Sequence, residues 1–296
     1  MDGRQSLAGG AGVIGRALLA DGRLHLSEGP IDLVIGLEGL RDAVRAGFAA
    51  AEAALEGVLA GLCAELPLLR AALDGARPMP LHPVARRMVA ACWPHRAGFI
   101  TPMAAVAGAV ADHVLAGIRA VPGLEAAHVN NGGDIALWLA PGRSLRVGLV
   151  ADPASPRADG VATLRHADGV GGIATSGWRG RSFSLGIADA VTVLAADAAA
   201  ADAAATVIAN AVDAEHPAVR RQPARELDPD SDLGGLPVTS GVGSLPAGVA
   251  AAALDRGAAV AEGLLARGLV LGACLRLQGQ DRVLGAEVFL YPALAR

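Results

Sequence analysis

The sequence predicts an α+β fold, a mixed or antiparallel sheet packed with helices, on three observations. Strand signals follow one another between residues 126 and 195 with no helical stretch among them, so neighbouring strands pair directly rather than through crossovers. Helical periodicity is gathered into separate stretches before and after that run. Hydrophobic residues make up 53% of the 296 positions but aromatics only 3%, so Ala, Val and Leu must fill the core and the backbones must approach closely.

Residues 1–15 are rich in Gly and Ala and read as a loose tail, with 16–296 as one domain. Asp21-Gly22 lies between two apolar-alternating runs, 16–20 and 23–27, and predicts a hairpin, because Asp-Gly accepts the positive φ of a type I′ turn. Ile31 to Ile35 reads as a buried strand. From Leu37 to Ala64 apolar residues recur at helical spacing (Leu40, Val44, Phe48, Ala51, Leu55), giving one long amphipathic helix that Pro67 ends. A second helix spans 83–92 and is closed by Pro94. Thr101 is an N-cap candidate with Pro102 in the first helical position, so a third helix runs to about Ile118.

Strands are expected at 126–130, 134–139, 145–151, 160–165, 171–175, 182–187 and 189–195, with turns at Asn131-Gly132 and Pro141-Gly142. Asp197 caps an Ala-rich helix that reaches Val212. Residues 214–247, rich in Pro, Gly and acids, read as a long irregular loop. A helix at 248–267 and strands at 269–277 and 282–290 complete the chain.

Composition excludes several classes of function. All 25 basic residues are Arg, against 29 Asp and Glu, for a net charge of −4. With no basic run and few aromatics to stack on bases, nucleic acid is not an expected partner. Mean hydropathy is positive, +0.43, yet the apolar run from Pro102 stops at Asp112, and the Ala-rich stretch 195–211 carries Asp197 and Asp202, so no membrane span is expected. The N-terminus shows no secretory cleavage pattern, and a cytoplasmic location is the expectation. Cys63, Cys92 and Cys274 are widely spaced, which argues against disulfides or a metal cluster. The seven histidines likewise lack zinc spacing.

Two motifs resemble sites without the required context. Gly10-x-Gly12-x-x-Gly15 has neither the strand before it nor the helix after it that would aim amides at a pyrophosphate. Asp228-x-Asp230-x-Asp232 begins like a calcium loop but carries Leu233 and Thr239 where glycine and a bidentate glutamate are needed.

Three other segments can build a ligand site. Asn130-Asn131-Gly132-Gly133-Asp134 is a hairpin turn with more freedom than a turn needs, and it offers a carboxylate to a cation or hydroxyl. Gly171 to Gly177 ends a strand in a small-residue turn presenting Thr175 and Ser176; no nucleophile elbow surrounds Ser176. Asp202 and Thr206 stand four apart on one helical face, where a carboxylate and a hydroxyl can hold a hard cation such as Mg²⁺. An isolated Asp there could equally serve solubility, with Thr206 bonding back to the preceding turn.

Taken in order, PMAAVAGAVAD (102–112), NNGGDI (130–135), GGIATSG (171–177) and ADAVTVLAADAAAADAAATVIAN (188–210) resemble the ApbE-like superfamily, which includes the FAD:protein FMN transferases, over about 110 residues. The nearest likeness is to an uncharacterised branch that shares the LDPDSDLG type of loop. The resemblance implies a T-fold-like α+β architecture. It further implies metal ligation at Ala104 (through its carbonyl), Asp202 and Thr206. The dinucleotide, FAD or FMN, would lie near Asp112, the turn Asn131, Gly132, Gly133 and Asp134, and the turn Thr175, Ser176 and Gly177. The expected partner is a small phosphorylated ligand, and a homodimer stays open. Two departures matter. Ala107 stands where the transferases have a lysine before Gly108, and their His-x-x-Asp-Pro-x-x-Gly segment is replaced by Trp178 to Gly186. FMN transfer itself is therefore not implied, and the alternative is a non-catalytic ligand-binding protein on the same scaffold.

Overall fold

A computed structural model describes residues 12–149, 160–285 and 289–290. In chain order the strands are β1 (Gly15–Leu18), β2 (Leu24–Glu28), β3 (Ile31–Gly39), β4 (Leu124–Asn131), β5 (Asp134–Leu139), β6 (Ser144–Leu149), β7 (Gly160–Arg165), β8 (Gly172–Ser176), β9 (Ala190–Ala195), β10 (Val219–Pro223), β11 (Pro237–Val242), β12 (Gly272–Leu277), β13 (Gln280–Gly285) and β14 (Phe289–Leu290). The helices are α1 (Arg41–Leu55), α2 (Val58–Ala64), α3 (Leu66–Leu69), α4 (Pro83–Cys92), α5 (Val106–Arg119), α6 (Ala198–Ala211), α7 (Ala224–Leu227) and α8 (Ala247–Ala266).

Nine strands form one sheet in the order β1-β2-β3-β4-β5-β8-β9-β12-β13, and every pairing in it is antiparallel. The fold is α+β, as predicted, without the mixed character left open. Alternation along each central strand sorts side chains between two layers. Ala174, Val191, Val193, Ala195, Ala273 and Leu275 face the layer of α6 and α8, while Leu137, Ile173, Leu194 and Cys274 face the other side with Leu164 of the β14-β7-β6 sheet. Alanine dominates α6, so the helix lies very close to the strands. At Gly172 and Gly108 any Cβ would overlap the backbone of Asp197 to Ala199.

Several expectations need correction. The helix predicted from Leu37 to Ala64 is three elements, because β3 extends to Gly39 and Gly57, at φ +76, separates α1 from α2. By length and hydropathy 41–64 is a candidate membrane span; α1 packs on α5, and Gly57 breaks the stretch. Residues 182–187 are not a strand; they form part of an irregular connection between β8 and β9. The long loop carries the β10–β11 hairpin. Thr101 does not cap α5, which begins only after a 3₁₀ turn at Pro102–Ala105. The predicted tail up to residue 11, and the parts of the predicted strands at 150–151 and 286–288, lie outside the described residues.

Candidate functional site

Helices α5 and α6 lie side by side behind the centre of the sheet, and each supplies the other's N-terminal cap. Free amides of a helix's first turn need acceptors and favour negative charge. At the start of α6 the carboxylate of Asp112, from α5, accepts from the amides of Ala198 (3.0 Å) and Ala199 (2.9 Å). At the start of α5 the carboxylate of Asp202, from α6, accepts from the amide of Gly108 (3.0 Å) and is also stabilised by that of Ala107. Asp197 completes the α6 cap by accepting from Ala200 at 2.8 Å, as the sequence predicted.

The glycine turn joins this frame from the sheet side. Asn131 donates its amide to the Ala107 carbonyl at 3.1 Å and accepts from the Asp32 amide at 3.4 Å, which ties the β4–β5 turn to the start of α5. Gly132 and Gly133 have φ +64 and +119, and the Gly133 amide donates to Asn130 Oδ1 at 2.8 Å. The turn delivers Asp134 to the end of β8, where its Oδ1 accepts from the Thr175 amide at 3.3 Å. The Thr175 hydroxyl shares a 2.9 Å hydrogen bond with Thr192.

Asp134 and Asp202 consequently become neighbours. Burial pushes the Asp134 carboxyl up to about 7, and only the Thr175 amide opposes the shift. Asp202 is held well above the usual carboxylate range, chiefly by burial and next by the charge of Asp134. No arginine contributes at either group. Such a pair has two hard oxygen donors and no counter-charge, which is the electrostatic signature of a cation site. Thr206 lies one turn beyond Asp202, and its hydroxyl has no protein partner among the described residues. Ala104 sits in the 3₁₀ turn that leads into α5.

The structure thus brings Asn131, Gly132, Gly133, Asp134, Thr175 and Asp202 together around the first turn of α5. Ser176 and Gly177 follow at the strand end, where the Gly177 backbone passes close to the carbonyls of Ala188 and Asp189. Asp112 stands apart: both its oxygens are committed to the α6 amides, and Arg87 lies 3.7 Å away. Burial still raises it, to about 6. Among the described residues no group of three or more His, Cys, Asp or Glu is placed to hold a metal, so a cation here would be completed by hydroxyl, carbonyl, water or ligand oxygens.

Sequence reasoning missed one contact. The Thr101 hydroxyl, buried just before the Ala104 turn, donates to Asp232 at 2.7 Å, so the acidic loop is fastened beside the site. The acids at 228–232 are spaced like a calcium loop, but nothing in their local pattern points to a partner 131 residues away.

An α+β protein in which two small-residue helices cap each other beside a Gly-Gly-Asp turn and an Ala-Thr-Ser-Gly strand end is the class that fold and site define. The chain belongs to the ApbE-like family described as AbpE bacteria, which matches residues 16–283. Relatives are named UPF0280 protein, a name that states no activity. That of Methanothrix thermoacetophila is 38% identical over 131 residues, 44% of this chain and 52% of that protein. That of Methanopyrus kandleri is 40% identical over 148 residues, 50% and 56% respectively. The chain spans about half the length of these curated relatives. Among solved structures, the ApbE protein of Thermotoga maritima has TM-score 0.46 and 14% identity, covering 93% of this chain and 97% of that one. The apo form of the Pseudomonas stutzeri flavinyl transferase ApbE gives 0.47 and 14%, covering 95% and 98%.

Proposed function

We propose that this protein binds a flavin nucleotide, FAD or FMN, or another small phosphorylated ligand together with Mg²⁺, and catalyses a transfer or hydrolysis at the ligand's phosphate. The observation that carries the reading is the Asp134–Asp202 pair, two adjacent carboxylates with no cationic partner. The donor set suits Mg²⁺, which takes one or two carboxylates and fills its remaining positions with water and phosphate oxygens. Asp202 and Asp134 would hold the ion, with the Thr206 hydroxyl and the Ala104 carbonyl as further oxygen donors. Bound there, a divalent cation would polarise a phosphoryl oxygen and offset charge developing on it.

The chain's own residues do the rest. The Gly132-Gly133 turn presents no side chain, so a ligand can reach the backbone at that point. Thr175, Ser176 and Gly177 line the adjoining strand end, and Asn131 fixes the turn against α5. Calorimetry with FAD and Mg²⁺ tests the proposal. Binding that is lost in Asp202→Ala is the expected result; no binding to the wild type, or none lost in the variant, removes the flavin-and-metal reading.

A second reading is a non-catalytic ligand-binding or accessory protein. It is favoured by Ala107 in place of the transferases' lysine and by the segment 178–186 in place of their histidine. Turnover of any nucleotide that disappears in Asp134 or Thr175 variants would eliminate it.

A further inference from the structure

Arg181 lies in the connection between β8 and β9, and the connection is firmly built. The Trp178 amide donates to the Ala188 carbonyl at 3.0 Å. The Trp178 indole and the Arg179 guanidinium both donate to Asp189 Oδ1, at 3.2 and 2.8 Å, and the other oxygen of Asp189 accepts from the Gln278 amide at 2.6 Å. This hub folds the connection back across the strand ends. It leaves Arg181 Nη1 3.3 Å from where a Cβ on Gly132 would sit.

The two arginines of the segment then differ. Arg179 is committed, paired with Asp189 and placed over the Trp178 ring at 4.8 Å. Arg181 is exposed and makes no hydrogen bond or ion pair among the described residues. An unpaired guanidinium and an unpaired carboxylate pair thus flank the same 131–134 turn.

Each flank lacks the opposite charge. A bare phosphate would satisfy Arg181 but leave the acid pair without a cation; a bare cation would do the reverse. A phosphate that carries its own divalent ion answers both, with planar guanidinium donors well matched to its oxygens. We infer that Arg181 is the anion-recognising residue of this site, and that the ligand it selects is a phosphate ester or anhydride chelated to a divalent cation. This rests on the metal reading of the acid pair given above, and the test separates the two.

Isothermal calorimetry of the full chain would use two probes, MnCl2 alone and inorganic pyrophosphate with saturating Mg²⁺. Wild type, Arg181→Gln and Arg181→Lys are compared; the side chain is exposed, so both variants keep the fold. Arg181→Gln should weaken Mg²⁺-pyrophosphate about tenfold to a hundredfold, the range of a charge-assisted hydrogen bond. Mn²⁺ alone should be unaffected, and Arg181→Lys should fall between. Equal pyrophosphate affinity in wild type and Arg181→Gln, with Mn²⁺ still bound, overturns the role of Arg181 and spares the acid pair. Failure of Mn²⁺ to bind, with pyrophosphate still weakened by Arg181→Gln, overturns the chelated ligand class and the metal reading. No pyrophosphate binding to wild type overturns the inference as a whole.

Discussion

Asp112 and Asp202 hold equivalent posts but have different charged neighbours. Each comes from one of the paired helices and accepts amides at the N-terminus of the other. Asp112 divides its two oxygens between two amides and has Arg87 at 3.7 Å. Asp202 has a second carboxylate, Asp134, in place of an arginine, and is raised well above the ordinary range. A helix N-terminus is therefore enough to seat a carboxylate in this fold. The two differ in that Arg87 lies near Asp112, whereas no arginine contributes at Asp202.

The largest consequence concerns the cation. Asp202→Asn keeps the cap to Gly108 through its side-chain oxygen but removes one of two negative charges, and divalent-ion affinity measured with Mn²⁺ should fall about a hundredfold or more. Asp112→Asn in the same assay should change it little. If both variants lose the ion equally, the distinction between the two acids collapses.

Proton competition comes next. Asp134, at about 7, must be deprotonated to bind a cation, so Mn²⁺ affinity should drop by up to about tenfold per pH unit below 7. Stability of the metal-free protein should move the other way. The folded pKa lies above the unfolded value of about 3.9, so the group's contribution is fully present below that value and is lost as pH rises through 7. Melting temperatures across pH 4–8, with and without Mg²⁺, should diverge most at the alkaline end.

Smaller effects follow at the structural acid. Asp112→Ala leaves the Ala198 and Ala199 amides without their acceptor and should cost about 1–2 kcal/mol in a denaturant titration. Smallest is Thr101→Val, which removes the bond to Asp232 and should cost about 0.5–1.5 kcal/mol, read locally as faster proteolysis of the 228–236 loop.

Much of this was legible in the sequence because it is local. The Asp197 cap, the Asn-Gly turn and the boundaries of α4 and α6 follow from residues within a few positions of one another. The glycine-rich segments advertise themselves by freedom and small size. What stayed hidden is tertiary. Periodicity continues through Glu56 and Gly57 although the chain turns there, and an apolar run at 182–187 looks like a strand until the Asp189 hub commits its surroundings. Asp112 shows the same limit: its place in a motif gives no hint that both oxygens cap a helix 86 and 87 residues later.

The glycines at 108 and 172 carry one more implication. They clamp the opening turn of α6 from two sides with no room for even a methyl group, so Asp202 rides on a mount without slack. The position of a buried carboxylate is thus set by missing side chains on the two elements that flank its helix, as well as by its own hydrogen bonds.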